Sequence, residues 1–305
     1  MTTLVFGHKS PDTDSTGSPI IWAWYLNLQG TAAEPRLLGE PNTEAAFMLT
    51  HWDLLKPELL TDLQDGTPVV IVDTNNPAEL PDNINDAKIT AIIDHHMLVG
   101  GLKTKSPIDI TIRPLACTAT LMHDLIGDTL SQAPRGIKGA MLSCILSDTL
   151  EFRSPTTTPH DRAVAVKLAE DLGVSIPDLA AQLFAAKSDV SRFSDAELLR
   201  MDSKEYEIDD KDLRISVLET TAPQVLLDRK ASLMAAMPAV ADEDDADQVL
   251  LFIIDILREE ATLLVPNDLT RKIAEASFGV KVTGDTVVLP GILSRKKQII
   301  PMLKL

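Results

Sequence analysis

The chain has 305 residues, 45% of them apolar and 24% charged, with a formal net charge of −17. That length suits two domains of ordinary size, and that balance suits a globular chain with a sizeable core. The negative charge argues against nucleic acid or an anionic membrane as partner, and no apolar run reaches the roughly 18 residues of a membrane span.

The opening residues, MTTLVFGHKS, lack a basic region ahead of an apolar core, so a cytoplasmic protein without a signal peptide is expected. Cys117 and Cys144 are too few for a disulfide framework and are expected as buried free thiols. TLVFG at 3–7 predicts a buried strand, followed by a turn-rich stretch from His8 to Asp14. A helix is expected to begin between Ser15 and Pro19 and to stop at Gly30. PRLLG at 35–39, PVVIV at 68–72 and KITAIID at 88–94 read as further strands, and NTEAAFMLTHW at 42–52 as a capped helix. Strands alternating with helices predict an α/β domain with a mostly parallel, doubly wound sheet, in which ligands bind beyond the carboxyl ends of the strands.

Helical spacing of apolar residues recurs at 117–127, 133–148, 160–173 and 177–187. The polar stretch SDVSRFSD at 188–195 reads as a linker, which gives a first domain over 1–187 and a second over 196–305. Strands at 213–220, 248–257 and 262–265, with helices near 223–236 and after Asn267, predict a smaller α/β domain with a mixed sheet. The acidic run DEDDAD at 242–247 is expected to be a solvated loop, because packed carboxylates repel one another.

Four short segments concentrate the groups that bind metals. They contribute His8, Asp12 and Asp14; Asp73 at the exit of VVIV; Asp94, His95 and His96 closing ITAII; and Asp148 at the end of an apolar helix. Each segment alone has a structural explanation: Asp12 or Asp14 as a helix cap, Asp73 as a turn residue, Asp148 as a solvated helix end. Taken together they form a mixed nitrogen and oxygen donor set that favours manganese, cobalt or iron over magnesium. Without a thiolate, a structural zinc site is not expected. If residues 94–96 continue as strand, His95 and His96 point to opposite sides, one toward metal and one toward substrate. Far along the chain, SRKKQ at 294–298 reads as a basic helix start with Ser294 as cap, suited to an anion.

GHKSPDTDS, the DHH triplet at 94–96, CTAT at 117–120, SDTLEFRSPTTT at 147–158 and SRKKQ stand in an order that resembles the family II inorganic pyrophosphatases of the DHH phosphoesterase superfamily. The triplet alone would mark the superfamily, and SRKKQ narrows it. The resemblance implies hydrolysis of inorganic pyrophosphate to two phosphates by a metal-activated bridging hydroxide. The centre would hold two manganese or cobalt ions, with additional magnesium entering with the substrate, in a homodimer. It implies His8, Asp12 and Asp73 for one metal and Asp14, Asp73, His95 and Asp148 for the other, with Asp73 bridging. It implies His96, Lys204, Arg295 and Lys296 as catalytic, substrate-binding residues, the basic ones forming a C-terminal clamp. Two departures from the family pattern are DTNN at 73–76, where a histidine after the aspartate and an acidic residue two further on are expected, and Met97, where a basic residue is common. The alternative within the superfamily is a phosphodiesterase acting on short oligonucleotides or cyclic dinucleotides. Such an enzyme would carry a glycine-rich nucleotide motif in its second domain, and the sequence offers none.

Overall fold

Apolar runs separated by turn residues become the strands of two sheets in the computed structural model, which describes residues 1–304. One sheet lies in each of two units, Met1–Lys187 and Ser188–Leu305. The first unit runs β1 (Thr3–Phe6), α1 (Thr13–Leu28), β2 (Ala33–Leu37), α2 (Thr43–His51), β3 (Glu58–Leu59), β4 (Pro68–Val72), β5 (Lys88–Asp94) and β6 (Asp109–Ile112). The helices α3 (Thr118–Ile126), α4 (Arg135–Asp148), α5 (Pro159–Leu172) and α6 (Ile176–Lys187) follow.

All strand pairs of the first sheet are parallel, in the order β3-β2-β1-β4-β5-β6. Strand order therefore reverses between β1 and β4, and a doubly wound sheet opens its ligand crevice at that point, beyond the strands' carboxyl ends. On one face α1 packs against β1 and β2. On the other, Phe6, Val69 and Ile71 pack with Leu80 and Ile84 from the connecting turns. The pairing of β4 with β5 slips after Val69↔Ile89, so that Val70 meets Ala91. Thr90 is the extra residue, its hydroxyl donating to the Val69 carbonyl at 2.9 Å. The bulge turns Ile89 and Ile92, three apart, onto the same face, where strict alternation would separate them.

Helix α1 starts earlier than expected because Asp12 caps it, accepting a hydrogen bond from Ser15 N at 3.0 Å. Pro19 consequently lies inside the helix rather than in its first turn, and its missing N–H leaves the Ser15 carbonyl without its helical partner. Asn42 caps α2 in the same way, through Ala45 N at 2.8 Å. Cys117 and Cys144 are buried free thiols.

The second unit runs α7 (Asp195–Met201), β7 (Ser203–Ile208), β8 (Lys211–Thr220), α8 (Pro223–Leu227), α9 (Lys230–Glu243), β9 (Gln248–Asp255), β10 (Glu260–Leu264), α10 (Asp268–Phe278) and β11 (Thr286–Pro290). A π-type turn over Arg295–Ile299 and the short α11 (Ile300–Met302) follow. The sheet order is β11-β10-β9-β8-β7, mixed because β8 and β9 are parallel and the other pairs antiparallel. Strand β9, QVLLFIID, is buried along its whole length. Its alternate residues serve two cores: Leu250, Phe252 and Ile254 join Ile273, Leu289 and Ile299, while Val249, Leu251 and Ile253 join Leu233, Met237 and Val240. The helix expected near 223–236 is two helices, divided after Leu227. The DEDDAD run is not simply a solvated loop. Its first residues end α9, and Asp244 is held by Arg200 at 3.0 Å and Arg214 at 2.7 Å, because guanidinium partners offset the repulsion.

Candidate metal centre

The loop after β1 lies close over the start of α1, and Gly7 is what permits it. A Cβ at Gly7 would come within 2.0 Å of Ser15 Oγ, the atom that accepts a hydrogen bond from His8 N at 2.8 Å. His8 Nε2 then stands 3.8 Å from Asp12 Oδ2 and 3.6 Å from Asp73 Oδ2. Asp12 Oδ1 caps α1, while its Oδ2 faces His8.

Asp73 sits immediately past β4 with φ of 58°, a left-handed conformation in which aspartate is among the less strained residues. It is 1% exposed. Its two oxygens face different partners: Oδ2 faces His8, while Oδ1 lies 3.4 Å from His95 Nε2 and 3.9 Å from His96 Nδ1. Thr118 Oγ1 donates to Oδ1 at 3.1 Å. Asp73 thus belongs to two groups of convergent donors, His8–Asp12–Asp73 and Asp73–His95–His96.

A third group joins Asp14, Cys117 and Asp148. Asp14 Oδ1 accepts from Ser18 Oγ at 2.6 Å, and Oδ2 accepts from Thr118 N at 2.7 Å and Cys117 Sγ at 3.2 Å. Burial above all raises the Cys117 thiol, so it serves as a neutral donor rather than a thiolate. Asp148 ends α4, and its Oδ2 is buried without a hydrogen-bond partner. Burial first, then repulsion from Asp14 and Asp12, pushes the Asp73 carboxyl well above the usual carboxylate range; Asp148 rises for the same reason, with Asp14 and Asp73 as its neighbours. An orphaned buried oxygen among crowded acids, beside two imidazoles, fits a pair of divalent cations of the manganese type.

Strand β5 ends at Asp94, so the expected opposite orientation of His95 and His96 does not occur. Asp94 Oδ1 accepts from His95 N at 2.8 Å and His96 N at 3.0 Å, which turns the chain and leaves the two rings 4.2 Å apart on one side. Asp94 also accepts from His96 Nδ1 at 2.9 Å. Burial alone would raise the Asp94 carboxyl, but the His96 ring and backbone and Asn75 hold it below its ordinary value. His95 is oriented separately, its Nδ1 lying 3.1 Å from the Leu115 carbonyl, which directs Nε2 toward Asp73. A crevice of about 590 Å³ opens beside these groups, lined among others by His8, Lys9, Asn75, His96 and Met97.

Sequence reasoning named candidate donors but not the groups that steady them. Ser18 and Thr118 hold Asp14 and Asp73, and Asp94 orients the histidine pair. The CTAT motif contained Thr118, but nothing in the sequence paired it with Asp14 across 104 residues. In the second unit, Lys204 stands exposed on β7 opposite Ile215, and Arg295 Nη1 approaches the Ile215 carbonyl at 3.4 Å. Arg295 also donates to the Asp202 carbonyl and carboxylate, each at 2.8 Å, and Lys296 beside it is exposed. Ser294 accepts from Lys297 N at 3.3 Å, as a cap does.

Residues 2–148 match the DHH family N-terminal domain and residues 181–305 the DHHA2 domain. The chain is 40% identical to a Deinococcus radiodurans protein named by inference as a manganese-dependent inorganic pyrophosphatase, over 98% of this chain and 97% of that one. A Listeria monocytogenes relative of the same name is 35% identical, covering 99% and 97%. A Methanococcus jannaschii crystal structure, provisionally assigned as a family II inorganic pyrophosphatase, superposes with a TM-score of 0.61 at 32% identity, covering 98% of this chain and 97% of that one.

Proposed function

The chain belongs to the family II, manganese-dependent inorganic pyrophosphatases, a family of diphosphatases in the DHH superfamily, and on that footing we propose that it hydrolyses inorganic pyrophosphate at a dinuclear manganese centre. His8, Asp12, Asp14, Asp73, His95 and Asp148 would hold the two ions, with Asp73 shared. The observation that carries this reading is the division of Asp73, whose two oxygens face His8 and His95 separately. The ions, when bound, supply charge neutralisation for the substrate and a more acidic water.

The chain's own residues do the rest. Ser18, Thr118 and Cys117 keep Asp14 fixed, so its carboxylate loses little freedom on binding. Asp94 holds the His96 ring by Nδ1, which leaves Nε2 free for the crevice. A proton on Nε2 can pass to the leaving phosphate as the P–O bond breaks, and the Asp94 carboxylate stabilises the imidazolium before that transfer. Lys204, Arg295 and Lys296 grip the substrate's phosphoryl oxygens, Arg295 as a planar fork and the lysines as point charges. Additional magnesium would accompany pyrophosphate and neutralise part of its charge.

The test is phosphate release from pyrophosphate by protein loaded with manganese, cobalt or magnesium, beside a dinucleotide as competing substrate. We expect turnover of pyrophosphate that is fastest with manganese or cobalt, and none of the dinucleotide. Manganese-loaded protein that leaves pyrophosphate intact overturns the reading.

A further inference from the structure

We propose that Asn75 is a positioning residue for His96, acting through Asp94; the inference rests on the pyrophosphatase reading of the site. Asn75 is 3% exposed and lies three residues past β4, the strand that delivers Asp73. All three hydrogen bonds of its amide go to the segment 94–99. Nδ2 donates to Asp94 Oδ2 at 2.6 Å and to the Met97 carbonyl at 3.0 Å, while Oδ1 accepts from Val99 N at 2.7 Å.

Asp94 is thereby held from both sides. One oxygen takes the Asn75 amide, and the other takes His95 N, His96 N and the His96 ring. A carboxylate fixed on one oxygen has a fixed plane, and that plane sets the ring direction of His96. His95 has a separate anchor at the Leu115 carbonyl. Loss of Asn75 should therefore disturb His96 far more than His95, and substrate chemistry more than metal binding. The neighbours that depart from the family pattern serve a different turn: Thr74 Oγ1 donates to Glu79 at 2.6 Å, and Asn76 Oδ1 accepts from Ala78 N at 3.1 Å. Asn75 alone of the three reaches Asp94.

Asn75→Asp separates the two halves of the role. An aspartate of the same size keeps the acceptor for Val99 N, but in its ionised form it donates to neither Asp94 nor the Met97 carbonyl. Asn75→Ala removes both, and Asp94→Asn supplies the second edge of a double-mutant cycle. The measurements are kcat and KM for pyrophosphate, manganese affinity, and the histidine ring-nitrogen signals of metal-free protein. We expect both Asn75 variants to lower kcat by about 10- to 100-fold, the range for losing an outer-sphere partner of a functional histidine, with KM and manganese affinity near wild type. The Nδ1–H signal of His96 should be lost and that of His95 kept. In the Asp94→Asn background, Asn75→Ala should cost nothing further.

Wild-type kcat in Asn75→Asp overturns the proposal, as does a full additive loss in the double variant or an unchanged His96 signal. The isosteric variant keeps the test available should Asn75→Ala fold poorly. A failure of the pyrophosphatase reading shows separately, as wild-type protein without turnover, and leaves the ring-nitrogen comparison intact.

Discussion

The two units hold their charges in opposite ways. In the first, Asp14, Asp73 and Asp94 are buried side by side and steadied by hydroxyls, amides and imidazoles. In the second, Lys204 and Lys296 stand exposed, and Arg295 is tied to Asp202 on the same unit. Burying like charges without counter-ions is costly, so on the proposed reading the first unit is a preformed cage whose cost a cation would relieve. Exposed lysines lose nothing while waiting, and they gain only when an anion arrives, at the cost of ordering their side chains. On the proposed reading, the first unit would offer metal a rigid set of donors and the second would offer substrate an adaptable set of cations.

The sharpest way to break the contrast is Asp73→Asn, which keeps shape and tolerates the left-handed backbone but removes the shared ligand charge. Manganese affinity should collapse, and phosphate release should fall by about 10³-fold, the upper range for losing one preorganised electrostatic partner. The metal-free protein should instead gain stability. Because burial raises the native Asp73 carboxyl above its unfolded value, ionised Asp73 destabilises the native state at neutral pH. The gain from asparagine should be largest there and shrink as pH falls toward the ordinary carboxylate range. A thermal melt showing lower stability at neutral pH, or a retained manganese stoichiometry, would contradict the cage.

Arg295→Ala and Lys296→Ala probe the proposed substrate residues of the second unit. Each should weaken pyrophosphate binding by about 10- to 100-fold, which corresponds to one charged hydrogen bond. Manganese affinity should stay unchanged, and titration of the ion into each variant checks it. Arg295→Lys should fall between, since it keeps charge but loses the planar fork that now reaches Asp202. Loss of manganese in any of these variants would contradict the proposed division between metal and substrate residues.

Much of this was legible in the sequence, for reasons specific to each element. Strong apolar runs such as VVIV and LLFIID read as buried strands, and the place of Asp73 beyond VVIV followed from the topology. Strands β3 and β6 escaped notice because two and four half-polar residues carry no usable period. Strand β7, SKEYEI, alternates charge with little apolar content, and its pairing with β8 gives it order that its own composition does not. The shared orientation of His95 and His96 was hidden because it depends on an aspartate folding back on its own backbone, a local competition with the strand ladder. The bond from Arg295 to Asp202 could not be read from the sequence, because its partner lies 93 residues away.

The smallest expected effects bear on the same contrast through stability rather than activity. Asp12 is both a helix cap and a candidate ligand, so its two functions can be separated by choice of substituent. Asp12→Ser keeps a good cap, while Asp12→Ala should cost about 1 kcal/mol of stability; both should lose manganese affinity alike. Lys204→Ala, by contrast, should change stability by no more than about 0.5 kcal/mol, as exposed surface substitutions do, while weakening pyrophosphate binding. Equilibrium denaturation of the three metal-free variants reads the difference directly. If Lys204→Ala destabilised the chain as much as Asp12→Ala, Lys204 would be part of the scaffold too, and the adaptability proposed for the second unit would have to be sought in Lys296 alone.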